Sequence, residues 1–168
     1  MSIPASIRRF RTPAAVLAGF LVACSSPAQE KDTPDAGIPP TLVMEVFRAR
    51  FPGAEIRECT REIEDSVVVY DLEFTQEGRR LEADISEDGS ILNWERAVQA
   101  KDLPRRVMKS LRKTYPKAVI RGVMALTEVR DGMEIPAGFE VLLDTAGVAE
   151  FEVTMAPDGR ILEEGKDE

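Results

Sequence analysis

Apolar and polar residues alternate along four stretches of the chain, which is the pattern of half-buried β-strands. These stretches are residues 68–74, 81–85, 139–144 and 151–155. Each is followed by a glycine turn, at Glu77-Gly78, Asp88-Gly89, Ala146-Gly147 and Asp158-Gly159. Glycine supplies the positive φ that such turns need, and strands joined by short turns must be antiparallel.

Two other segments place apolar residues four positions apart, which marks one face of a helix. The pairs are Val43 with Phe47 and Val107 with Leu111. Proline suits the start of a helix, where its missing N–H costs nothing, and it ends a helix that it follows. Each segment lies between two such prolines, Pro40 and Pro52 in the first and Pro104 and Pro116 in the second.

The same order of signals occurs twice, at an offset of 64 residues. Residues 40–57 match residues 104–121, and after a few additional residues around 131–137 the strand and turn signals match again. The sequence therefore predicts an α+β fold of two tandem repeats, residues 40–98 and 102–164, each with one helix packed on an antiparallel sheet. It leaves open whether the repeats share one sheet. The sheet face away from the helices is expected to be polar and open to water.

The first 23 residues have the pattern of an export signal. Arg8, Arg9 and Arg11 precede a short apolar run at residues 14–22, which is too short to span a bilayer as a mature helix. The run ends in Leu21-Val22-Ala23-Cys24, which resembles the bacterial lipobox. The resemblance implies that Cys24 is lipidated and anchors the protein in the cell envelope, at the outer membrane facing the periplasm or the cell surface if two membranes are present.

Residues 24–39 are rich in Ser, Pro, Asp, Lys and Gly, and they are predicted to form a disordered tether. Cys59 is then the one other cysteine, so the mature chain has no internal disulfide, and Cys59 is expected to act as a small buried hydrophobe.

The chain has a formal net charge of −8, which becomes −11 once the three arginines of the leader are removed. An acidic surface disfavours nucleic acid and anionic membranes and favours cationic partners. The sequence contains no histidine, so it lacks the commonest general base, the Ser-His pair and the usual zinc ligand. No cofactor and no metal site are predicted.

Several motifs, two of them present in both copies, follow one another in a fixed order. They are Leu103-Pro104, Phe51-Pro52-Gly53-Ala54 with Tyr115-Pro116-Lys117-Ala118, Val69-Tyr70-Asp71-Leu72-Glu73-Phe74, and Asp88-Gly89-Ser90-Ile91-Leu92 with Asp158-Gly159-Arg160-Ile161-Leu162. Over residues 38–164 this pattern resembles the PepSY-like family, whose fold is compared to that of the β-lactamase inhibitor protein. The first copy departs from the family in having Pro39-Pro40 where Leu-Pro is usual. The resemblance implies an exported bacterial protein whose concave antiparallel sheet binds another protein, with no catalytic residues.

Carboxylates on the polar sheet face are the candidate binding residues. By alternation they are Asp71, Glu73, Glu82, Asp84, Glu140, Asp144, Glu150 and Glu152. They could form a docking surface for a basic protein, or simply a solvated sheet face. Because they stand on an open face, they are expected to keep ordinary pKa values, which disfavours acid–base catalysis.

Three apolar residues complete the candidate binding set. If Val68 and Tyr70 face the helix, Val67 and Val69 form a small apolar patch on the polar face. Trp94, at the junction of the copies, could anchor a partner or join the two copies by its own burial.

Three functions remain compatible with the sequence. The preferred one is a lipid-anchored, non-enzymatic module that binds another exported protein as an inhibitor or sensor. A structural or assembly lipoprotein of the envelope and a carboxylate-based enzyme are the alternatives.

Overall fold

The computed structural model describes residues 38–145 and 148–166, without the side chains of residues 148–150 and 166. The helices are α1 (Thr41–Arg50) and α2 (Arg105–Thr114), and a single 3-10 turn (Ala100–Asp102) precedes α2. The strands are β1 (Glu55–Glu64), β2 (Val67–Gln76), β3 (Arg79–Ser86), β4 (Ile91–Ala97), β5 (Val119–Arg130), β6 (Met133–Thr145), β7 (Val148–Met155) and β8 (Ile161–Lys166).

All eight strands form one antiparallel sheet in the order of the sequence. Strands β4 and β5 pair directly, from Asn93 with Glu128 to Ala97 with Met124, although a helix separates them along the chain. The two halves therefore share one continuous sheet, a point that the sequence left open. The predicted antiparallel pairing of the strands is confirmed.

Both helices lie on the same face of this sheet. Ala83 on β3 is one of the side chains buried under α1. It pairs with Trp94 on β4, and Trp94 pairs with Thr127 on β5, so all three side chains point to the same face of the sheet. Since side chains alternate between faces along a strand, Val123, four residues before Thr127, has the same orientation, and it lies in the cluster under α2. The sheet thus has one helix-covered face and one face without a helix.

Each helix is bounded by the prolines that the sequence singled out. Pro40 and Pro104 directly precede the first helical residues, with similar backbone angles (φ −56 and −54). The residues that cap the C-termini, Phe51 and Tyr115, share the same angles, φ −122 and ψ 67. Pro52 and Pro116 follow these caps and cannot continue a helix, so both helices stop at matching places.

Two apolar clusters hold the helices on the sheet. Under α1, three aromatic rings meet, with Phe47 at 4.9 Å from Phe74 in an edge-to-face arrangement and Phe51 at 4.7 Å from Phe74 between centroids. Under α2, the cluster is aliphatic and includes Val107 and Leu111. The predicted helix faces are therefore the ones that the fold buries.

A glycine turn touches each helix. The turn at Gly89 brings its backbone near the Leu42 side chain, and the turn at Gly159 brings its backbone against the Arg106 carbonyl. A Cβ at Gly159 would lie 2.7 Å from that carbonyl oxygen, and φ is +90 there, so only glycine fits. The Ala146-Gly147 turn lies outside the described residues.

Cys59 lies half-buried beside the cluster under α1. Burial, and then the negative charge of Asp71, raise the pKa of its thiol. Its surroundings are those expected for a small hydrophobe, because both effects disfavour the reactive thiolate.

Candidate functional site

The sheet face without helices carries acidic side chains from every strand, and we call it the acidic face. Register and alternation place these carboxylates there: Glu58, Glu62 and Glu64 on β1, Asp71 and Glu73 on β2, Glu82 and Asp84 on β3, Glu95 on β4, Glu128 on β5, Glu140 and Asp144 on β6, Glu152 on β7 and Glu163 on β8. Seven of the predicted carboxylates belong to this set: Asp71, Glu73, Glu82, Asp84, Glu140, Asp144 and Glu152. The Glu150 side chain lies outside the described residues.

The acidic face is polar, as predicted, but the prediction that it is open to water is wrong for part of it. Asp71 is 2% exposed and Glu128 is 8% exposed, and Thr60, Asp84, Ser86 and Thr154 are also buried. All of these except Glu128 have short side chains. On a sheet whose strands lie about 4.8 Å apart, long glutamates cover their short neighbours. The short acids Asp71 and Asp84 are therefore shielded from water.

Glu95, Glu140 and Glu152, on β4, β6 and β7, form a carboxyl cluster on this face. Strand β5 separates β4 from β6, and Leu126 on β5 pairs with both Glu95 and Gly138. Glu140 lies two residues beyond Gly138 on β6, so it lies across β5 from Glu95. Glu140 hydrogen-bonds to the carboxyls of both Glu95 and Glu152. Ionised carboxylates only accept hydrogen bonds, so this arrangement requires bound protons.

The carboxyl cluster has strongly shifted pKa values. Burial, followed by the charges of Glu82 and Asp84, raises the pKa of Glu95 to about 8. Burial, followed by the charges of Glu95 and Glu152, raises the pKa of Glu140 to about 11. The expectation of ordinary pKa values on this face is therefore wrong for both residues. The physical reason is that like charges in a poorly hydrated place disfavour ionisation.

Other carboxylates on the face have cationic or amide partners. Arg80 lies 2.6 Å from a Glu82 oxygen, and Arg130 lies 2.6 Å from Oε2 of Glu128. Asn93 donates a 2.8 Å hydrogen bond from Nδ2 to Oδ2 of Asp84. Oε2 of Glu95 and Oε1 of Glu128 are buried and accept no hydrogen bond. The face thus contains carboxyl oxygens that its own residues leave without a donor.

The two predicted apolar residues of this face differ in exposure. Val67 is 47% exposed at the tip of the β1–β2 hairpin, whereas Val69 is fully buried. Val69 pairs with Glu62 on one side and Ser86 on the other. The predicted apolar patch is therefore wrong at Val69, because the neighbouring strands cover it.

Trp94 lies on the helix-covered side, where its ring is 6.3 Å from Phe51. The Arg50 guanidinium lies 5.2 Å from the Trp94 ring and donates a 2.8 Å hydrogen bond from Nε to Glu134 on β6. Trp94 therefore sits where α1 meets the β5–β6 hairpin. Since Nε1 of Trp94 is buried without a hydrogen-bond partner, this ring contributes mainly packing.

Sequence reasoning missed Glu95 and Glu128 as members of the site. The signal for Glu95 was the triplet Asn93-Trp94-Glu95, in which a residue facing the helices is flanked by polar residues of the opposite face. No sequence signal marks Glu128, because its position depends on the pairing of β4 with β5.

Part of the predicted protein lies outside the described residues. The predicted leader, Cys24 and all of the tether before Ile38 lie outside the described residues. Within residues 38–145 and 148–166, neither helix has the length and apolar composition needed to cross a membrane. In the same ranges, no group of three or more cysteine, aspartate or glutamate residues is arranged to hold a metal ion.

The chain was compared with known proteins by sequence and by structure. No family model matches the chain. No curated protein matches it by sequence. Similar solved structures include a protein from Bacteroides eggerthii described as periplasmic (13% identity, 77% of this chain and 90% of that chain, TM-score 0.62). They also include a DUF2874 family protein from Bacteroides uniformis (13%, 76% and 88%, TM-score 0.60).

A BLIP-like protein from Bacteroides fragilis is similar as well, with 19% identity over 77% of this chain and 86% of that chain and a TM-score of 0.54. At these identities the likeness concerns the fold alone. The expectation of a fold like that of the β-lactamase inhibitor protein is confirmed: the chain has a BLIP-like fold, with eight antiparallel strands and two helices.

Proposed function

We propose that this protein is an exported, lipid-anchored module of the cell envelope that binds a cationic segment of another protein on its acidic face, without catalysis. The observation that carries the proposal is the convergence of carboxylates from all eight strands on the one sheet face that no helix covers. A surface rich in carboxylates attracts a cationic partner over long range and gives its arginines paired acceptors at contact. The description of one structural relative as periplasmic supports export.

The proposed protein has two repeated units and a lipid anchor. The two halves are tandem copies of one PepSY-like unit, which is supported by the matching helix caps and by turns with the same hydrogen bonds. Ser86 N–H donates to Ser90 O, and Ala156 N–H donates to Arg160 O, both at 2.9 Å. The anchor is a lipid on Cys24, which is supported by the lipobox-like residues before it.

The acidic face offers a cation more than surface charge. Glu82 and Glu152 are only partly exposed, and beside them lie the other two members of the carboxyl cluster, Glu95 and Glu140. A guanidinium presents its donors in a planar fork that fits two carboxylates at once, so arginine suits this face better than lysine. Charged hydrogen bonds in poorly hydrated places are stronger than exposed ion pairs.

Titration calorimetry with hexa-arginine tests the proposal. We expect the mature chain to bind this peptide and the double variant Glu82→Gln/Glu152→Gln to bind it roughly tenfold to hundredfold more weakly, because two charged acceptors are lost. The control is Glu45→Gln/Glu87→Gln, which makes the same change in net charge at exposed positions off the acidic face. It should bind within about twofold of the parent. Equal weakening in both variants would show that net charge alone attracts the peptide and would refute a docking face.

A second candidate function, general-acid catalysis, is favoured by one observation. The raised pKa values of Glu95 and Glu140 keep protons available at neutral pH, which a general acid requires. The protons of this cluster, however, bridge carboxyls of the protein itself. A substrate converted by the pure protein only while Glu140 is intact would establish catalysis in place of docking.

A further inference from the structure

Helix α2 presents a row of basic side chains to solvent, which we call the basic stripe. Its members are all exposed: Arg105, Arg106, Lys109, Arg112 and Lys113. They occupy the helix surface opposite the buried Val107 and Leu111, and α2 contains no acidic residue. The corresponding helix of the other half, α1, carries Glu45 and two arginines. The basic stripe is therefore particular to α2.

The basic stripe is positively charged, whereas the chain as a whole is negatively charged. Residues 101–117 contain seven lysines and arginines and one acid, Asp102, whereas the whole chain has a formal net charge of −8. Among the described residues, no carboxylate forms an ion pair with a side chain of the stripe. Because α2 lies on the helix-covered side, the fold separates positive charge on one side from the acidic face on the other.

The chain enters the fold on the same side as the stripe. Ile38 is 93% exposed, and α1 begins three residues later on the helix-covered face. If Cys24 carries the lipid, as proposed above, the segment from residue 25 to residue 38 joins the membrane to this side.

We infer that the basic stripe of α2 docks on the headgroups of anionic phospholipids and holds the acidic face away from the bilayer. Lysines and arginines near an anionic leaflet each strengthen binding by roughly fivefold, so five of them are enough for a weak, salt-sensitive contact. The same leaflet repels the acidic face, and the two effects favour one orientation. The tethering rests on the proposed lipid anchor, whereas the affinity of the stripe for lipid does not.

Vesicle flotation of an unlipidated protein tests the stripe separately from the anchor. The probe is the mature chain, residues 24–168, carrying Cys24→Ser, mixed with vesicles of phosphatidylcholine alone or of equal parts phosphatidylcholine and phosphatidylglycerol. We expect binding to the anionic vesicles only, and loss of that binding at high salt. Because the acidic face takes no part, a failure of hexa-arginine binding would leave this result unaffected.

Two matched double variants locate the contact. Arg105→Gln/Arg112→Gln removes two charges from the stripe and should weaken vesicle binding roughly tenfold or more. Arg57→Gln/Arg79→Gln removes two exposed arginines from the β1–β3 part of the sheet and should leave it nearly unchanged. Equal loss in the two variants, or no binding to anionic vesicles, would overturn the inference. So would self-association of the protein without lipid that the stripe variant abolishes, because the occupant would then be a second copy.

Discussion

Replacing Glu140 with glutamine is expected to stabilise the protein in mildly alkaline solution. In the folded state, burial and the charges of Glu95 and Glu152 raise the pKa of Glu140 to about 11 from an ordinary value of 4.5. The folded protein thus holds a proton that the unfolded chain releases above pH 4.5. Glutamine keeps the shape of the side chain and has an N–H₂ group that can donate to both neighbouring carboxyls, so it removes the need for that proton.

The pH dependence of the parent protein follows from the same groups. An acid whose pKa is higher in the folded state stabilises the fold below its unfolded pKa, and this contribution is lost as the pH rises toward the folded value. For Glu95, this window runs from 4.5 to about 8. Over the three pH units from about pH 5 to about pH 8, each of the two protons on Glu95 and Glu140 lowers the free energy of unfolding by up to about 4 kcal/mol, at about 1.4 kcal/mol for each pH unit.

Urea unfolding of the parent and of Glu140→Gln at both pH values measures this effect. The variant should be more stable than the parent by about 2–4 kcal/mol near pH 8 and similar to it near pH 5. Glu45→Gln, which makes the same charge change at an exposed helix position, should stay within about 0.5 kcal/mol of the parent at both pH values. A parent whose stability does not change with pH, or a destabilised Glu140→Gln at pH 8, would contradict the protonated cluster.

Replacing Phe47 with alanine is expected to cause the largest loss of stability. The ring is 2% exposed and packs against Phe51 and Phe74, whose centroids lie 5.6 and 4.9 Å away. Removing it leaves a cavity between α1 and the sheet that these rigid rings cannot fill. The free energy of unfolding should fall by about 3–5 kcal/mol, a large part of the stability of a domain of this size.

Two further alanine variants make this a matched series, measured by urea unfolding near pH 5. Leu111 occupies the position in α2 that Phe47 occupies in α1, and Leu111→Ala should cost about 2–4 kcal/mol because its aliphatic surroundings can partly relax. Leu42, on the outer side of α1, is about half exposed, and Leu42→Ala should cost less than about 1 kcal/mol. Equal losses at Phe47 and Leu42 would contradict the assignment of the helix face.

Local patterns in the sequence predicted both helices and four of the eight strands, β2, β3, β6 and β7, because these elements depend on neighbours along the chain. Strands β1, β4, β5 and β8 were not predicted. The helix between Pro40 and Pro52 and the alternation through Tyr70 and Leu72 are examples. The continuity of the sheet could not be predicted in this way. The link from β4 to β5 contains a helix, so no short turn encodes their pairing.

The acidic face was also predicted only in part. Strand alternation placed Glu140 and Glu152 on the correct face. It could not show that Glu140 meets Glu95, because that contact crosses β5 and depends on the pairing of β4 with β5. Burial on the acidic face was also beyond a strand-by-strand pattern, since Val69 is covered by residues of the strands on both sides. The shifted pKa values follow from these cross-strand contacts.

Carboxyl-carbon NMR of the mature chain, recorded while hexa-arginine is added near pH 7, tests the central claim most directly. If the acidic face is the docking surface, the side-chain carboxyl resonances of Glu95, Glu140 and Glu152 should move together and saturate, while those of Glu45 and Glu87 stay in place. Saturating shifts confined to the acidic face are the predicted result. Small, unsaturated shifts shared by all carboxylates, or no shift in the carboxyl cluster, would contradict the claim that this face binds a cationic partner.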